Sequence, residues 1–204
     1  GFEFARKWEE SATTDASRFD AQLNALQAAY FTNNSVAVGE YANKVTSSNL
    51  ASNSQVATAN FYLGKMAYDK NDFPRAYPAL QAVTENASTE IMAESWHLLA
   101  QILYKQKKYA DAEQTIGDAN KASAGFDDWI AKNLILLSDV YMDQGDKNSA
   151  SAALEAVLEN YSGNDPNILA TARQKYNRIT GTNPVMNNST QKGGRNLLDM
   201  DEGN

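Results

Sequence analysis

The side chains that could carry chemistry in this sequence are few, and they form no known catalytic pattern. The 204 residues contain one histidine, His97, and no cysteine. The lack of cysteine excludes disulfides, thiolate zinc sites and cysteine nucleophiles. Serine and aspartate are frequent, but no Gly-x-Ser-x-Gly, Gly-x-Gly-x-x-Gly or P-loop sequence accompanies them. We therefore predict that His97 is a hydrogen-bonded histidine rather than a catalytic base.

Two pairs of adjacent acidic residues, Glu9-Glu10 and Asp127-Asp128, are the remaining candidates for acid–base chemistry. Neighbouring side chains on a helix point about 100° apart, so the two carboxylates of such a pair do not flank one substrate bond. Helix caps and solvent-exposed helix faces explain these pairs better. The sequence therefore predicts a protein without enzymatic activity, cofactor or bound metal.

The composition restricts the classes of partner. Hydrophobic residues make up 43% of the chain, which is enough for a folded core. The chain has 18 basic and 25 acidic residues, a net charge of −7, which argues against nucleic acid because phosphate binding needs a basic surface. No run of about 18 apolar residues predicts a membrane-spanning helix. The chain begins with Gly1 rather than Met, so we expect a piece of a longer protein.

An internal repeat predicts the elements that position these side chains. Small residues recur 36 and 38 residues apart, and each is followed 12 residues later by an alanine and four residues after that by a large apolar residue. This spacing predicts a helix, a tight turn and a second helix, with the small residues allowing the two helices to approach closely. The three sets are Gly64, Ala76 and Leu80; Ala100, Ala112 and Ile116; and Ser138, Ala150 and Leu154.

The predicted turns between the paired helices have suitable residues. Asn71 or Asp72 can cap the helix that follows the first turn. In the third turn, Gly145 suits a left-handed helix end and Asp146 suits the cap of the next helix. The turn chemistry therefore agrees with the spacing of the small residues.

These residues resemble the tetratricopeptide repeat, or TPR. Its signature of a small residue after Leu in the first helix is matched by Leu63-Gly64, Leu99-Ala100 and Leu137-Ser138, with Trp96 and Tyr141 at further signature positions. The resemblance covers about residues 19–180. It implies an all-α fold, a right-handed TPR-type α-solenoid of helix-turn-helix repeats with a C-terminal capping helix.

The resemblance divides the chain as follows. The capping helix is predicted from the apolar stripe Leu169, Ala172, Tyr176 and Ile179, with Arg173, Lys175 and Arg178 facing outward. The polar composition after it predicts a linker or peptide tail. The N-terminal segment over 1–18 is predicted to be helical and is interpreted as the end of a preceding repeat. The other predicted units are a degenerate repeat over 19–48; repeats over 56–86, 90–122 and 127–161; the capping helix over 166–180; and the tail over 181–204.

Stacked TPR units form a concave groove lined mainly by their first helices, and this groove is the predicted binding site. The alternative is that its aromatic residues pack as core between neighbouring helices. The predicted binding residues are Phe61, Lys65, Tyr68, His97, Gln101, Tyr104, Asp139 and Met142, and the predicted lining also includes Asn24, Ala28, Phe31 and Ile135.

The carboxylate clamp of chaperone-binding TPR domains, which uses Lys and Asn at set groove positions, is not present. The corresponding positions carry Phe61, Lys65, Leu98, Lys132 and Leu136, and only Lys132 is of the right type in its place. The sequence therefore argues against recognition of chaperone tails.

The resemblance implies a non-catalytic scaffold that binds a protein or peptide segment in the groove. One alternative is a homo-oligomerisation module that associates through the groove or the tail. Another is a saccharide-binding component of an outer-membrane uptake system. The acidic, Asn-rich, Cys-free chain also resembles bacterial envelope TPR proteins, which implies a periplasmic or envelope-associated location, with the cytoplasm as the alternative.

Overall fold

The computed structural model of the chain describes residues 1–86 and 89–181, and these residues are all-α, as the sequence predicts. The predicted tail lies outside the described residues, apart from Gly181. The helices are α1 (Phe2–Ser11), α2 (Asp15–Phe31), α3 (Ser35–Thr46), α4 (Asn53–Asp69), α5 (Phe73–Asn86), α6 (Glu90–Lys105), α7 (Tyr109–Ala122), α8 (Asp127–Asp143), α9 (Lys147–Asn160) and α10 (Pro166–Thr180).

The helices form two rows. The even-numbered helices from α2 to α10 each contact the next even-numbered helix, and we call them the inner helices. The backbones of the odd-numbered helices come close only to those of the inner helices beside them in the chain. We call the odd-numbered helices the outer helices. Because the backbones of successive inner helices approach one another and those of successive outer helices do not, the row of inner helices lies on the inside of the curve. This arrangement confirms the TPR-like solenoid, in which each helix contacts only helices within two places along the chain.

Small residues let the hairpin helices α4 and α5 pack closely. A Cβ atom added at Gly64 would lie 2.7 Å from Cγ of Leu80, which is closer than van der Waals contact. At the present distance between α4 and α5, only glycine fits at position 64. The equivalent residues of the next two hairpins, Ala100 and Ser138, are also buried. The predicted partners on the second helices are buried too, with relative exposures of 0–1%: Ala76, Leu80, Ala112, Ile116, Ala150 and Leu154.

The turn before α9 forms as its residues predict. Gly145 has a φ of +84°, in the left-handed region that glycine tolerates. Asp146 caps α9, because its Oδ1 accepts a hydrogen bond of 3.0 Å from the backbone N–H of Ser149. Both predictions for this turn are confirmed.

Helix α10 closes the C-terminal end of the solenoid against α8 and α9. Ile168 and Ala172 are buried, while Arg173 and Arg178 are exposed as predicted. The outward prediction for Lys175 is wrong, because its Nζ lies 2.5 Å from Oδ1 of Asp139 on α8. The long lysine side chain reaches back over the apolar face to this carboxylate.

Helix α1 is held to α2 and α3 by Glu9. Its carboxylate accepts hydrogen bonds from Gln22 Nε2 at 2.9 Å, Tyr41 Oη at 2.8 Å and Lys44 Nζ at 3.0 Å. Burial opposes ionisation of Glu9, but these hydrogen bonds outweigh it and lower the pKa of Glu9. Burial and the hydrogen bond to Glu9 raise the pKa of Tyr41 to about 12.

Among the helices of residues 1–86 and 89–181, none is both long and apolar enough to cross a bilayer.

Candidate binding groove

A chain of polar side chains joins three inner helices along the concave face, and we call it the polar seam. The Tyr68 hydroxyl on α4 donates to Oε1 of Gln101 on α6. Gln101 Nε2 lies 2.8 Å from His97 Nε2, and His97 Nδ1 lies 2.8 Å from Asn133 Oδ1 on α8. Asn133 Nδ2 then donates to Asn120 Oδ1 on α7 at 3.1 Å. The predicted site residues Tyr68, His97 and Gln101 therefore bind one another.

The hydrogen bonds of the polar seam run in one direction. Because Gln101 Oε1 accepts from Tyr68, the amide nitrogen of Gln101 is the atom that donates to His97 Nε2. His97 Nε2 is then an acceptor, so the proton of the neutral ring is on Nδ1 and is donated to Asn133. This assignment satisfies the side chains of His97 and Gln101 without a charge.

The surroundings of His97 favour its neutral form. Its relative exposure is only 8%. Burial lowers the pKa of His97, and the positive charges of Lys132 and Lys65 act in the same direction, while the hydrogen bond to Asn133 opposes them. His97 is thus an uncharged link between helices α6 and α8.

Further polar contacts link the inner helices on either side of the seam. Lys65 on α4 forms an ion pair with Glu94 on α6. The Tyr104 hydroxyl on α6 donates to Asp143 Oδ2 on α8 at 3.0 Å, and burial together with this carboxylate raises the pKa of Tyr104 to about 12. These contacts fix the spacing between successive inner helices.

A pocket of about 270 Å³ opens at the C-terminal end of the concave face, between α6, α8 and α10. It brings together three predicted site residues, His97, Gln101 and Asp139. The ammonium of Lys132 lies 4.1 Å from the centre of the Trp129 ring and forms no ion pair with any described residue. The lining consists of His97, Gln101, Lys132, Ile135, Leu136, Asp139, Asp165, Asn167, Ile168 and Thr171.

The other predicted site residues lie outside this pocket. Phe61 is 6% exposed and packs in the core with Leu80 and Leu98. Lys65, Tyr68 and Tyr104 are half-buried in contacts between inner helices, and Met142 is half-buried near the end of α8. The predicted lining residues Asn24, Ala28 and Phe31 contribute to a separate cavity against α1, at the other end of the molecule.

Sequence reasoning missed Asn133, the residue that joins His97 to the neighbouring hairpin. With the repeat spacings of 36 and 38 residues, its equivalents are Ala59 and Ser95, and all three positions are fully buried. A large amide at a position otherwise held by small residues is the signal that could have identified it, since a buried amide needs hydrogen-bond partners.

The acidic pairs are engaged in structural contacts. Asp128 accepts a hydrogen bond from the Tyr161 hydroxyl at 2.6 Å, and Asp127 accepts one from Ser162 Oγ at 2.5 Å. These bonds tie the start of α8 to the turn after α9. In the other pair, Glu9 holds α1 in place, as described above, and Glu10 lies in an exposed ion pair with Arg6 at 3.8 Å.

Comparison with known proteins identifies a family that covers almost all of the described helices. A sequence model of the family described as tetratricopeptide repeat-like domain matches residues 1–179. Among curated proteins, none matches the chain in sequence.

Proposed function

The chain belongs to the tetratricopeptide repeat-like domain family, and we propose that it is a non-catalytic scaffold that binds a protein segment on its concave face. The pocket between α6, α8 and α10 is the observation that carries this proposal. It is open to solvent on the inner side of the solenoid, and its wall combines apolar side chains with polar groups. Such a combination is typical of sites that hold a ligand side chain and orient it.

The lining suggests the chemistry of the bound segment. Ile135, Leu136 and Ile168 offer an apolar surface to one side chain of the segment. The ammonium of Lys132, which lacks an ionic partner among the described residues, offers hydrogen bonds to a backbone carbonyl or a carboxylate. We therefore expect a segment with a medium-sized apolar residue next to an exposed acceptor.

The polar seam supports a groove that is formed before its ligand arrives. The hydrogen bond between His97 and Asn133 sets α6 against α8, and the ion pair between Lys175 and Asp139 sets α10 against α8. Helices α6, α8 and α10, which form the walls of the pocket, are thus held together by these two contacts. A preformed site avoids part of the ordering cost of binding.

The location is a further part of the proposal. We propose a periplasmic or envelope-associated location in a bacterium, on the ground that the acidic, Asn-rich, cysteine-free chain resembles bacterial envelope TPR proteins.

Site-specific photocrosslinking tests the groove. A photoreactive residue at Ile135 should give a discrete adduct with a protein in an extract of the source cells, and a photoreactive residue at Gly117 on outer helix α7 should not. Adding Lys132→Glu should remove the Ile135 adduct, because it reverses the charge at the rim of the pocket. Lys121→Glu, a matched change at an exposed lysine of α7, should leave the adduct unchanged.

Two results would refute the groove as the binding site. One is an adduct of equal yield from Ile135 and Gly117. The other is an Ile135 adduct that survives Lys132→Glu while the circular dichroism spectrum of that variant is unchanged.

A further inference from the structure

The sequence after α10 contains a short stretch that fits the pocket between α6, α8 and α10. Residues 196–202 read Asn-Leu-Leu-Asp-Met-Asp-Glu and lie outside the described part of the chain. Two leucines are thus followed directly by a carboxylate, and two more carboxylates come within the next three residues. An apolar side chain beside an acidic acceptor is the combination that the lining of the pocket favours.

We infer that residues 197–199 occupy the pocket of their own molecule when no other protein segment is bound there. The inference rests on the proposed function, because it assigns an occupant to the same groove. One of the two leucine side chains packs against the apolar part of the lining, and the carboxylate of Asp199 pairs with the ammonium of Lys132. The tail then competes with a partner segment for the groove.

The charges around the pocket favour an acidic occupant. Asp139 is neutralised by its ion pair with Lys175. Asp165 accepts hydrogen bonds of 2.9 Å from the backbone and side-chain N–H groups of Asn167. The ammonium of Lys132, in contrast, has no ionic partner among the described residues. A carboxylate that enters the pocket therefore meets an available cation, while both acids of the lining are already engaged.

The position of α10 brings the tail close to the pocket. The first turns of α10 supply Asn167, Ile168 and Thr171 to the lining, and the helix ends at Thr180. At a rise of about 1.5 Å per residue, Gly181 lies about 20 Å from Ile168. Gly181 has a φ of +73°, and this left-handed conformation ends the helix and lets the chain turn back.

The length of the linker matches this distance. Leu197 follows Gly181 by 16 residues, and a polar linker of that length has an end-to-end distance of about 20–24 Å. When linker and span agree, the effective concentration of the tethered segment is on the order of millimolar, which a second copy in dilute solution does not reach. The apolar pair Val185 and Met186 is too near, since five residues span at most about 18 Å.

Site-specific photocrosslinking in the purified full chain tests the contact. A photoreactive residue at Thr171, on the lining of the pocket, should form an adduct with residues 196–204 of the same molecule. Trypsin cleaves after Arg195, so mass spectrometry can locate the adduct on that peptide. The matched control is a photoreactive residue at Arg173, which is exposed on the opposite side of α10 and closer to Gly181. It should give a lower yield, although an unbound tail would reach it more easily.

Two tail variants show whether the leucines are responsible. Leu197→Ser with Leu198→Ser removes the apolar contact and should lower the adduct yield at Thr171 about fivefold or more. Val185→Ser with Met186→Ser changes the other apolar pair of the tail and should leave the yield unchanged.

Three results would overturn the inference. They are equal yields from Thr171 and Arg173, a yield at Thr171 that survives the two leucine substitutions, and adducts between two copies whose yield rises with protein concentration. The tail and the groove can also fail separately. A partner adduct at Ile135 without a tail adduct at Thr171 contradicts the tail alone, whereas a tail adduct without a partner adduct supports the tail and contradicts the proposed function.

Discussion

The contacts within the helical hairpins and the contacts between neighbouring inner helices differ in their chemistry. Inside the hairpins, small residues meet large apolar ones, as Gly64 meets Leu80. Between the inner helices, apolar packing is accompanied by hydrogen bonds between side chains, as between His97 and Asn133. The two sets of contacts lie on the same helices, only one or two turns apart in sequence.

The difference indicates a division of roles. Apolar contacts in the hairpins supply most of the burial that stabilises each unit. The hydrogen bonds of the polar seam add less net free energy of folding. They require particular atoms to face one another, however, and so they fix the orientation of one hairpin relative to the next. The curvature of the groove then depends on a few polar side chains.

The largest expected effect comes from breaking a hairpin contact. Leu80→Ala removes a fully buried side chain and should lower the free energy of unfolding by about 2–5 kcal/mol. Chemical denaturation followed by circular dichroism measures this loss. A loss below that of the seam variant described next would contradict the division of roles.

A smaller effect is expected from breaking the polar seam. Asn133→Ala leaves the Nδ1–H group of His97 and the Oδ1 atom of Asn120 without their partner, and should cost about 1–3 kcal/mol. The helical circular dichroism signal should be unchanged, because the hairpins remain. Small-angle X-ray scattering should show a change of shape, and an unchanged scattering curve would refute the proposed role in setting curvature.

Two glycine substitutions sharpen the description of the hairpins. Gly64→Ala should destabilise the protein by about 1 kcal/mol, since overpacking against Leu80 outweighs the gain in helix propensity. At Gly117 an added Cβ has no neighbour within 4 Å, so Gly117→Ala should stabilise by about 0.5–1 kcal/mol. Thermal melting of both variants measures the difference, and shifts of the same sign would contradict it.

The smallest expected effect is a pH dependence of the folding stability, which arises from His97 in the polar seam. The pKa of His97 is lowered below 6.5 in the folded state, so the unfolded chain binds the proton more readily. The contribution of His97 to stability is complete above pH about 6.5 and is lost as the pH falls from there toward the folded-state pKa. Between pH 7.5 and 5.5, the melting temperature of the wild-type protein should fall more than that of His97→Gln. Equal falls would show that His97 does not titrate in this way.

The hairpins could be predicted from the sequence because their contacts repeat. Gly64 and Leu80 recur as Ala100 with Ile116 and as Ser138 with Leu154, and a regular spacing in sequence corresponds to a regular contact in space. The turn at Gly145 and Asp146 was predictable for a different reason, since both residues act through the local backbone.

The polar seam could be predicted only in part. The repeat pattern identifies Tyr68, His97 and Gln101 by their positions on the inner helices. Their hydrogen bonds to one another, however, depend on the angle between successive hairpins, which the pattern does not give. Asn133 occurs at its repeat position once, where the other copies have Ala59 and Ser95, so it is marked by a departure from the repeat and not by a recurring residue type. Phe61 has the same repeat position as His97 and is equally buried, yet it packs among apolar side chains and not in the polar seam.

The restriction of each helix to near neighbours has a consequence for how the chain acquires its structure. Since contacts join segments that are close in sequence, little loop-closure entropy opposes them, and folding should be fast for a chain of this length. During synthesis, each hairpin can therefore pack against the one made before it without waiting for distant parts of the chain.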